Sequence, residues 1–186
     1  MAISDGLQTL VSNGNASGLI RATDDPDGSN LQGRGGDDSL RGGKYDDSLD
    51  GGSGNDALFG GLGNDVFKID ISNVTDASDT DKILDLTFSE ESGIDTDMLV
   101  LSGFAAGTFS DGLGANATGD GGRVQITGWT GLHNALANAQ GVSITASQVG
   151  TTDALLLVID NGTGHVQNLI ISNAYAAFTA AGGMIA

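Results

Sequence analysis

Four aspartates stand nine residues apart in this chain, Asp38, Asp47, Asp56 and Asp65, each the sixth residue of a nonapeptide: GRGGDDSLR, GGKYDDSLD, GGSGNDALF and GGLGNDVFK. Each repeat opens on glycine, and an apolar residue follows the aspartate two places later, as Leu40, Leu49, Leu58 and Phe67. Glycine lets the backbone turn tightly through positive φ, so carbonyl oxygens can face a common point. The aspartate then adds a short, hard, negatively charged oxygen donor. Carbonyls and carboxylates together suit Ca²⁺, which takes six to eight oxygens at about 2.3–2.6 Å in a forgiving geometry. The candidate ligands are the first, third and sixth residues of each repeat: Gly33, Gly35 and Asp38; Gly42, Lys44 and Asp47; Gly51, Ser53 and Asp56; Gly60, Leu62 and Asp65.

The elements that must hold these ligands follow from the period. Three residues close each repeat, enough only for a short strand, and alternation turns the middle one inward. Self-similarity at a short fixed period means a solenoid, here a parallel β-roll. Two repeats make one coil, so Asp38 is expected to face Asp56 on one edge and Asp47 to face Asp65 on the other, giving about two complete sites. The preceding stretch DDPDGSNLQ keeps the apolar position as Leu31 but has Ser29 in place of the aspartate, as a capping repeat would. Asp25 or Asp27 is a substitute ligand for a weaker site there. The stack of apolar residues from Leu31 to Phe67 is small, and paired aspartates repel until a cation lies between them. The segment is therefore expected to be disordered without Ca²⁺ and folded with it.

These repeats resemble the RTX nonapeptides, GGxGxDxUx with U apolar, of calcium-binding proteins exported by bacterial type I secretion. Arg34 in place of the second glycine and Tyr45 in place of the fourth depart from that pattern. The run from Asp65 to Phe104 is similar to the segment that follows the roll in secreted proteases, lipases and alginate epimerases. The stretch from Leu132 to Phe178 resembles their closing strands and terminal helix-like signal. The resemblance implies a secreted bacterial protein, extracellular or attached to the cell surface, that uses the type I apparatus through an uncleaved C-terminal address. The tail NAYAAFTAAGGMIA, free of Lys and Arg, fits such an address.

Composition agrees with this picture. Acidic residues number 24 against 7 basic ones, a net charge of −17, and no Lys or Arg follows Arg123. That field disfavours nucleic acid and anionic membranes as partners and attracts divalent cations. Without cysteine, no disulfide can stabilise a secreted form. The N-terminus lacks the charged and apolar regions of a cleavable signal peptide, and no run is long enough to span a membrane.

The chain is divided as a lead-in or cap over 1–23, a calcium-binding roll over 24–68 and a β-rich C-terminal region over 69–186 that holds the secretion address. The fold class is all-β, a parallel roll followed by strands and one or two short helices. Strands are expected at Val66–Ile71, Lys82–Thr87, Met98–Leu101, Arg123–Thr127, Val142–Thr145, Ala154–Asp160 and Val166–Ser172. Helices are expected at Leu132–Gln140 and Asn173–Ala181. Asp76, Asp79, Asp81 and Asp85 read as a solvated acidic loop rather than an ion site, because their spacing misses the EF-hand pattern.

His133 and His165, the only histidines, form no HExxH motif, and GxSxG is absent. Trp129, Tyr45 and Tyr175 are too scattered to make a sugar platform by pattern alone. The favoured function is a non-catalytic, calcium-folded protein with a structural, adhesive or surface role. A module associated with cell-surface or extracellular polysaccharide, and a small secreted hydrolase, stand as alternatives.

Overall fold

The structure, a computed structural model, describes residues 8–12, 14, 16–22, 26–74, 78–89, 94–109, 112–114, 117–162 and 164–182. It is built of strands that alternate between two sheets. In the roll these are β1 (Gln8–Val11), β2 (Leu19–Arg21), β3 (Ser29–Gln32), β4 (Ser39–Arg41), β5 (Ser48–Asp50), β6 (Ala57–Phe59), β7 (Val66–Asp70), β8 (Ser78–Ile83) and β9 (Met98–Ser102). Odd-numbered strands pair in parallel in one sheet and even-numbered strands in the other, so two strands and two turns complete a coil. The expected all-β parallel roll with a β-rich C-terminal region is the fold.

Register explains the core. Leu31 pairs with Leu49, Leu49 with Phe67 and Phe67 with Leu99 on the first sheet. Ile20, Leu40, Leu58 and Ile83 align in the same way on the second. From Leu31 onward every one of these side chains is fully enclosed, so the eighth residue of each repeat does point inward. A solenoid buries one stripe per strand, and a one-residue slip would turn that stripe out to water.

The C-terminal part closes the stack with antiparallel strands. β10 (Ala117–Asp120) and β11 (Arg123–Ile126) extend the first sheet beyond β9. β12 (Ser143–Gln148), β13 (Leu155–Asp160) and β14 (Val166–Ile171) form a meander whose last strand lies parallel to β8. Two helices, α1 (Trp129–Asn138) and α2 (Tyr175–Ala180), pack Leu132, Ala135 and Phe178 into the same core.

Three expectations are corrected. The helix placed at Leu132–Gln140 starts at Trp129, directly after an extended Gly128 whose carbonyl accepts the Leu132 N–H at 2.9 Å. The strand placed at Lys82–Thr87 is Ser78–Ile83, because Asp79 and Asp81 alternate inward with Ile83. β1, β2 and β10 lie outside the expected strands: each is only three or four residues long, and β2 and β10 have a single β-branched residue apiece.

Candidate calcium sites

The turns between strands stack into two edges, and each edge carries two ladders of hydrogen bonds running in opposite directions. On the first edge the fifth residues pass N–H groups one way: Asn55 N donates to Asp37 Oδ1 at 2.9 Å and Thr80 N to Asn55 Oδ1 at 2.9 Å. The sixth residues pass them the other way, Asp38 N to Asp56 Oδ1 at 2.7 Å and Asp56 N to Asp81 Oδ1 at 2.9 Å. The second edge repeats this. Asn64 N donates to Asp46 Oδ1 and Thr96 N to Asn64 Oδ1, both at 2.8 Å. Asp47 N donates to Asp65 Oδ1 at 2.8 Å and Asp65 N to Asp97 Oδ1 at 3.0 Å. Asp38 therefore meets Asp56, and Asp47 meets Asp65, as the nine-residue period requires.

Each ladder also runs one rung past the repeats. Asp79-Thr80-Asp81 and Asp95-Thr96-Asp97 take the places that Gly54-Asn55-Asp56 and Gly63-Asn64-Asp65 hold in the preceding turns, with Asp79 Oδ2 accepting from Gly54 N and Asp95 Oδ2 from Gly63 N. The reading of Asp79 and Asp81 as solvated loop residues is thus overturned: they are 2 % and 4 % exposed, on strand β8. Asp97, not singled out by sequence, is buried likewise. Asp85 does not join the ladder but accepts from Gly60 N and Gly61 N at 2.9 Å. Asp76 and Asp25 lie outside the described residues, and Asp27 is exposed. The available signal was the twice-used phrase Asp-Thr-Asp followed, two residues on, by Ile83 or Leu99.

The ladders end on protein donors. Gln167 Nε2 donates to Asp81 Oδ2 at 3.0 Å, and Thr87 N to Asp97 Oδ2 at 2.7 Å. Inside the stack the second oxygens are treated differently. Asp38 Oδ2 and Asp56 Oδ2 are buried without a hydrogen-bond partner. Buried carboxylate oxygens left in this way are costly unless a cation meets them.

The first-position glycines bring further oxygens to the same places. A Cβ on Gly33 would collide with the Gly51 carbonyl and with Asp38 Oδ2, and one on Gly42 with the Gly60 carbonyl and Asp47 Oδ2. These two turns thus each hold a carboxylate and the next turn's carbonyl against one bare Cα, while a Cβ on Gly51 or Gly60 would meet the carboxylate of Asp56 or Asp65. At the third position Gly35 and Ser53 form an isolated parallel bridge, while Lys44 and Leu62 are exposed and offer only backbone atoms. Arg34 adopts φ +70° where Gly52 and Gly61 have +95° and +108°, so the arginine takes the left-handed conformation that glycine takes freely. Tyr45 does not share the positive φ of Gly36, Gly54 and Gly63.

Electrostatics sharpens the picture. Burial, reinforced by Asp38, Asp37 and Asp79, pushes the Asp56 carboxyl up to about 7. Burial with Asp97, Asp47 and Asp85 pushes Asp65 up to about 8, and burial with Asp56 and Asp79 does the same to Asp81. Asp97 is raised to about 6 by burial, with Asp85 and Asp95 adding repulsion. Asp38 and Asp47 are raised as well, again mainly by burial. Such carboxylates resist ionising in the fold unless positive charge is supplied.

The donor set fits Ca²⁺. Among the described residues no three carboxylate or imidazole side chains converge on one point, so the arrangement combines one or two carboxylates with backbone carbonyls. Hard oxygens in an adaptable ring are what that ion takes, whereas thiolate or imidazole metals find no ligands here. The histidines lie elsewhere, His165 Nδ1 against the Val74 carbonyl at 2.9 Å and His133 edge-on to Phe178.

No curated protein and no solved structure matches the chain. One family model does, over residues 32–67, which lie within the stacked turns just described. That segment of the chain is a run of four RTX calcium-binding nonapeptide repeats.

Proposed function

We propose that this is a secreted, non-catalytic protein whose roll folds on Ca²⁺ after export by a type I secretion apparatus, and which then serves a structural or adhesive role outside the cell. The observation that carries the reading is the pair of buried aspartate ladders, with Asp38 Oδ2 and Asp56 Oδ2 unpartnered. Bound Ca²⁺ would supply the charge these carboxylates need. Asp38, Asp47, Asp56 and Asp65 provide side-chain oxygens, and the carbonyls of Gly51 and Gly60 lie beside two of them.

In a compartment poor in calcium, the carboxylates of each ladder repel one another and keep the repeats from stacking, which suits passage through an exporter. Outside, where extracellular modules bind with dissociation constants of about 10⁻⁴–10⁻³ M, the same residues favour the folded roll. No helix among the described residues is long and apolar enough to cross a membrane. The non-catalytic part of the reading rests on the buried carboxylates Asp38, Asp47, Asp56, Asp65, Asp81 and Asp97 being held in the ladders and on the histidines being spent on a backbone carbonyl and a phenyl ring.

The test is far-UV circular dichroism of chelator-treated protein titrated with Ca²⁺ and, in parallel, with Mg²⁺, which demands a stricter octahedral geometry. A cooperative gain of β signal with Ca²⁺ only, abolished by Asp56→Ala together with Asp65→Ala, is expected. A roll that is equally folded in chelator, or a double variant that titrates like the wild type, would overturn the proposal.

A further inference from the structure

The segment that leaves β8 is tied down on both sides. Leu84 N donates to the Leu58 carbonyl at 2.9 Å, Ser172 N to the Ile83 carbonyl at 3.0 Å and Thr87 N to Asp97 Oδ2 at 2.7 Å. Leu86 is buried in the core, so the next apolar residue, Phe88, is delivered to a fixed place against Trp129, the first residue of α1. The two rings meet edge-to-face, 4.8 Å between centroids and 67° between planes. Both line a groove of about 370 Å³, a volume suited to a small ligand, which Leu84, Asp85, Ser172 and Asn173 also border.

Among the described residues that line this groove, Asp85 is the only charged one. Its carboxylate stands outside the aspartate ladders and is held in place by the backbone, with Oδ1 accepting from Gly60 N and Oδ2 from Gly61 N, both at 2.9 Å. Arg41, whose charge also acts on Asp85, is stacked on the Phe59 ring at 4.5 Å and is not part of the lining. The groove therefore joins a fixed negative charge to two aromatic rings.

We infer that this groove is a binding site for a small organic cation of the quaternary ammonium class. The π-surfaces of Trp129 and Phe88 attract a cation electrostatically, and the Asp85 carboxylate supplies the opposite charge. Both oxygens of that carboxylate are engaged by glycine amides. A fully alkylated ammonium makes no hydrogen bonds, so it asks only for ring surface and nearby charge, whereas a primary ammonium brings three donors that need acceptors. Ca²⁺ takes six to eight oxygens, and among the described residues no three carboxylates converge here. An anionic ligand is opposed by Asp85 and by the net charge of −17. A neutral apolar ligand would desolvate the carboxylate without compensating it.

This site goes beyond the calcium and export reading above and requires only the folded chain, so it is tested on calcium-saturated protein whose fold is followed separately by circular dichroism. Trp129 is the only tryptophan, and its fluorescence reports the groove directly. At constant ionic strength, titration with choline is expected to change that fluorescence saturably, with a dissociation constant of about 1 mM or lower. The uncharged carbon isostere 3,3-dimethylbutanol should give no saturable change, and phosphocholine, with its added negative charge, should bind more weakly than choline. Phe88→Leu, which keeps an apolar side chain but removes the ring, is expected to weaken choline binding about tenfold, the scale of one desolvated cation–π contact, and to leave the circular dichroism of the calcium-saturated protein unchanged. Asp85→Asn is expected to weaken it at least as much. Equal binding of 3,3-dimethylbutanol or of phosphocholine, unaltered affinity in folded Phe88→Leu protein, or no saturation by about 10 mM choline would each overturn the inference.

Discussion

Asp56→Asn separates the electrostatic account of the roll from a merely structural one, because its effect must change sign with pH. In the fold the Asp56 carboxyl is pushed up to about 7, against 3.8 for the free group. A raised pKa means that the folded state holds the proton more tightly than the unfolded chain. The associated stability is therefore present below pH 3.8 and lost as pH rises through 7. Over that span the loss is about 4 kcal/mol for this one group, as an order of magnitude. Asparagine keeps Oδ1 for the Asp38 N–H, now at 2.7 Å, and never ionises. Its amide N–H₂ replaces Asp56 Oδ2, which is buried without a partner, at a cost of about 1–3 kcal/mol.

In chelator at about pH 8 the variant should thus be more stable than the wild type by about 2 kcal/mol, and at about pH 4 less stable by a similar amount. The assay is urea unfolding followed by circular dichroism at several pH values in excess chelator, with a fixed concentration of a stabilising osmolyte to keep the transition in range. With Ca²⁺ present the order at pH 8 reverses, since the variant has lost a charged ligand. A variant that is less stable than the wild type at every pH in chelator, or a wild-type roll that gains stability as pH rises from 4 to 8, would refute the argument from buried charge.

Two further outcomes follow from packing and from the ladder ends. Leu58→Ala empties a fully enclosed position between Leu40 and Ile83 and should cost about 2–5 kcal/mol, read as a lower urea midpoint of the calcium-loaded protein and a higher Ca²⁺ midpoint for folding. Gln167→Leu removes the donor to Asp81 Oδ2 and should cost about 1–3 kcal/mol, a loss that shrinks as pH falls through about 8, where folded Asp81 takes up its proton; a pH-independent loss would make Gln167 a packing residue only.

How much of this was legible depended on whether spacing or chemistry carried the information. Between Gly33 and Lys68 both do, so the coil, the inward Leu40, Leu49, Leu58 and Phe67, and the facing of Asp38 with Asp56 and Asp47 with Asp65 could be read directly. Beyond Lys68 the spacing fails. Rungs that lie 18 residues apart inside the repeats lie 25 apart between Asp56 and Asp81 and 32 apart between Asp65 and Asp97. The chain loops out between coils, yet the turn chemistry returns each time as Asp-Thr-Asp with an inward Ile83 or Leu99. A search tied to a fixed period passes over such rungs; a search for the local phrase would have found them. On the N-terminal side the reverse holds. Gly18 and Ser29 stand where aspartates would, so the ligand is lost, while Ile20 and Leu31 keep the apolar stripe.

The meander β12–β14 was legible as alternating apolar strands but its place was not, because the parallel pairing of β14 with β8 joins segments almost 90 residues apart and leaves no local trace. That pairing gives the fold its asymmetry. A solenoid with ion-dependent rungs needs an end at which the last carboxylates are satisfied by the protein itself, or the cation requirement would propagate without limit. Gln167 on β14 and the backbone of Thr87 provide that end, one for each edge. The same closure brings Ser172 and Asn173 beside Leu84, Phe88 and Trp129, so the groove exists only where the C-terminal strands have docked on the roll. Calcium-dependent stacking of the turns and assembly of the groove are then linked through β8, which carries Asp81 on its inner side and Lys82 on its outer side. A substitution that loosens the groove, such as Trp129→Ala, should therefore raise the Ca²⁺ concentration at which the roll folds, by the linkage that couples calcium binding to everything else that stabilises the folded state. A Trp129→Ala protein whose folding midpoint in Ca²⁺ matches that of the wild type would show that the groove and the ladders are independent.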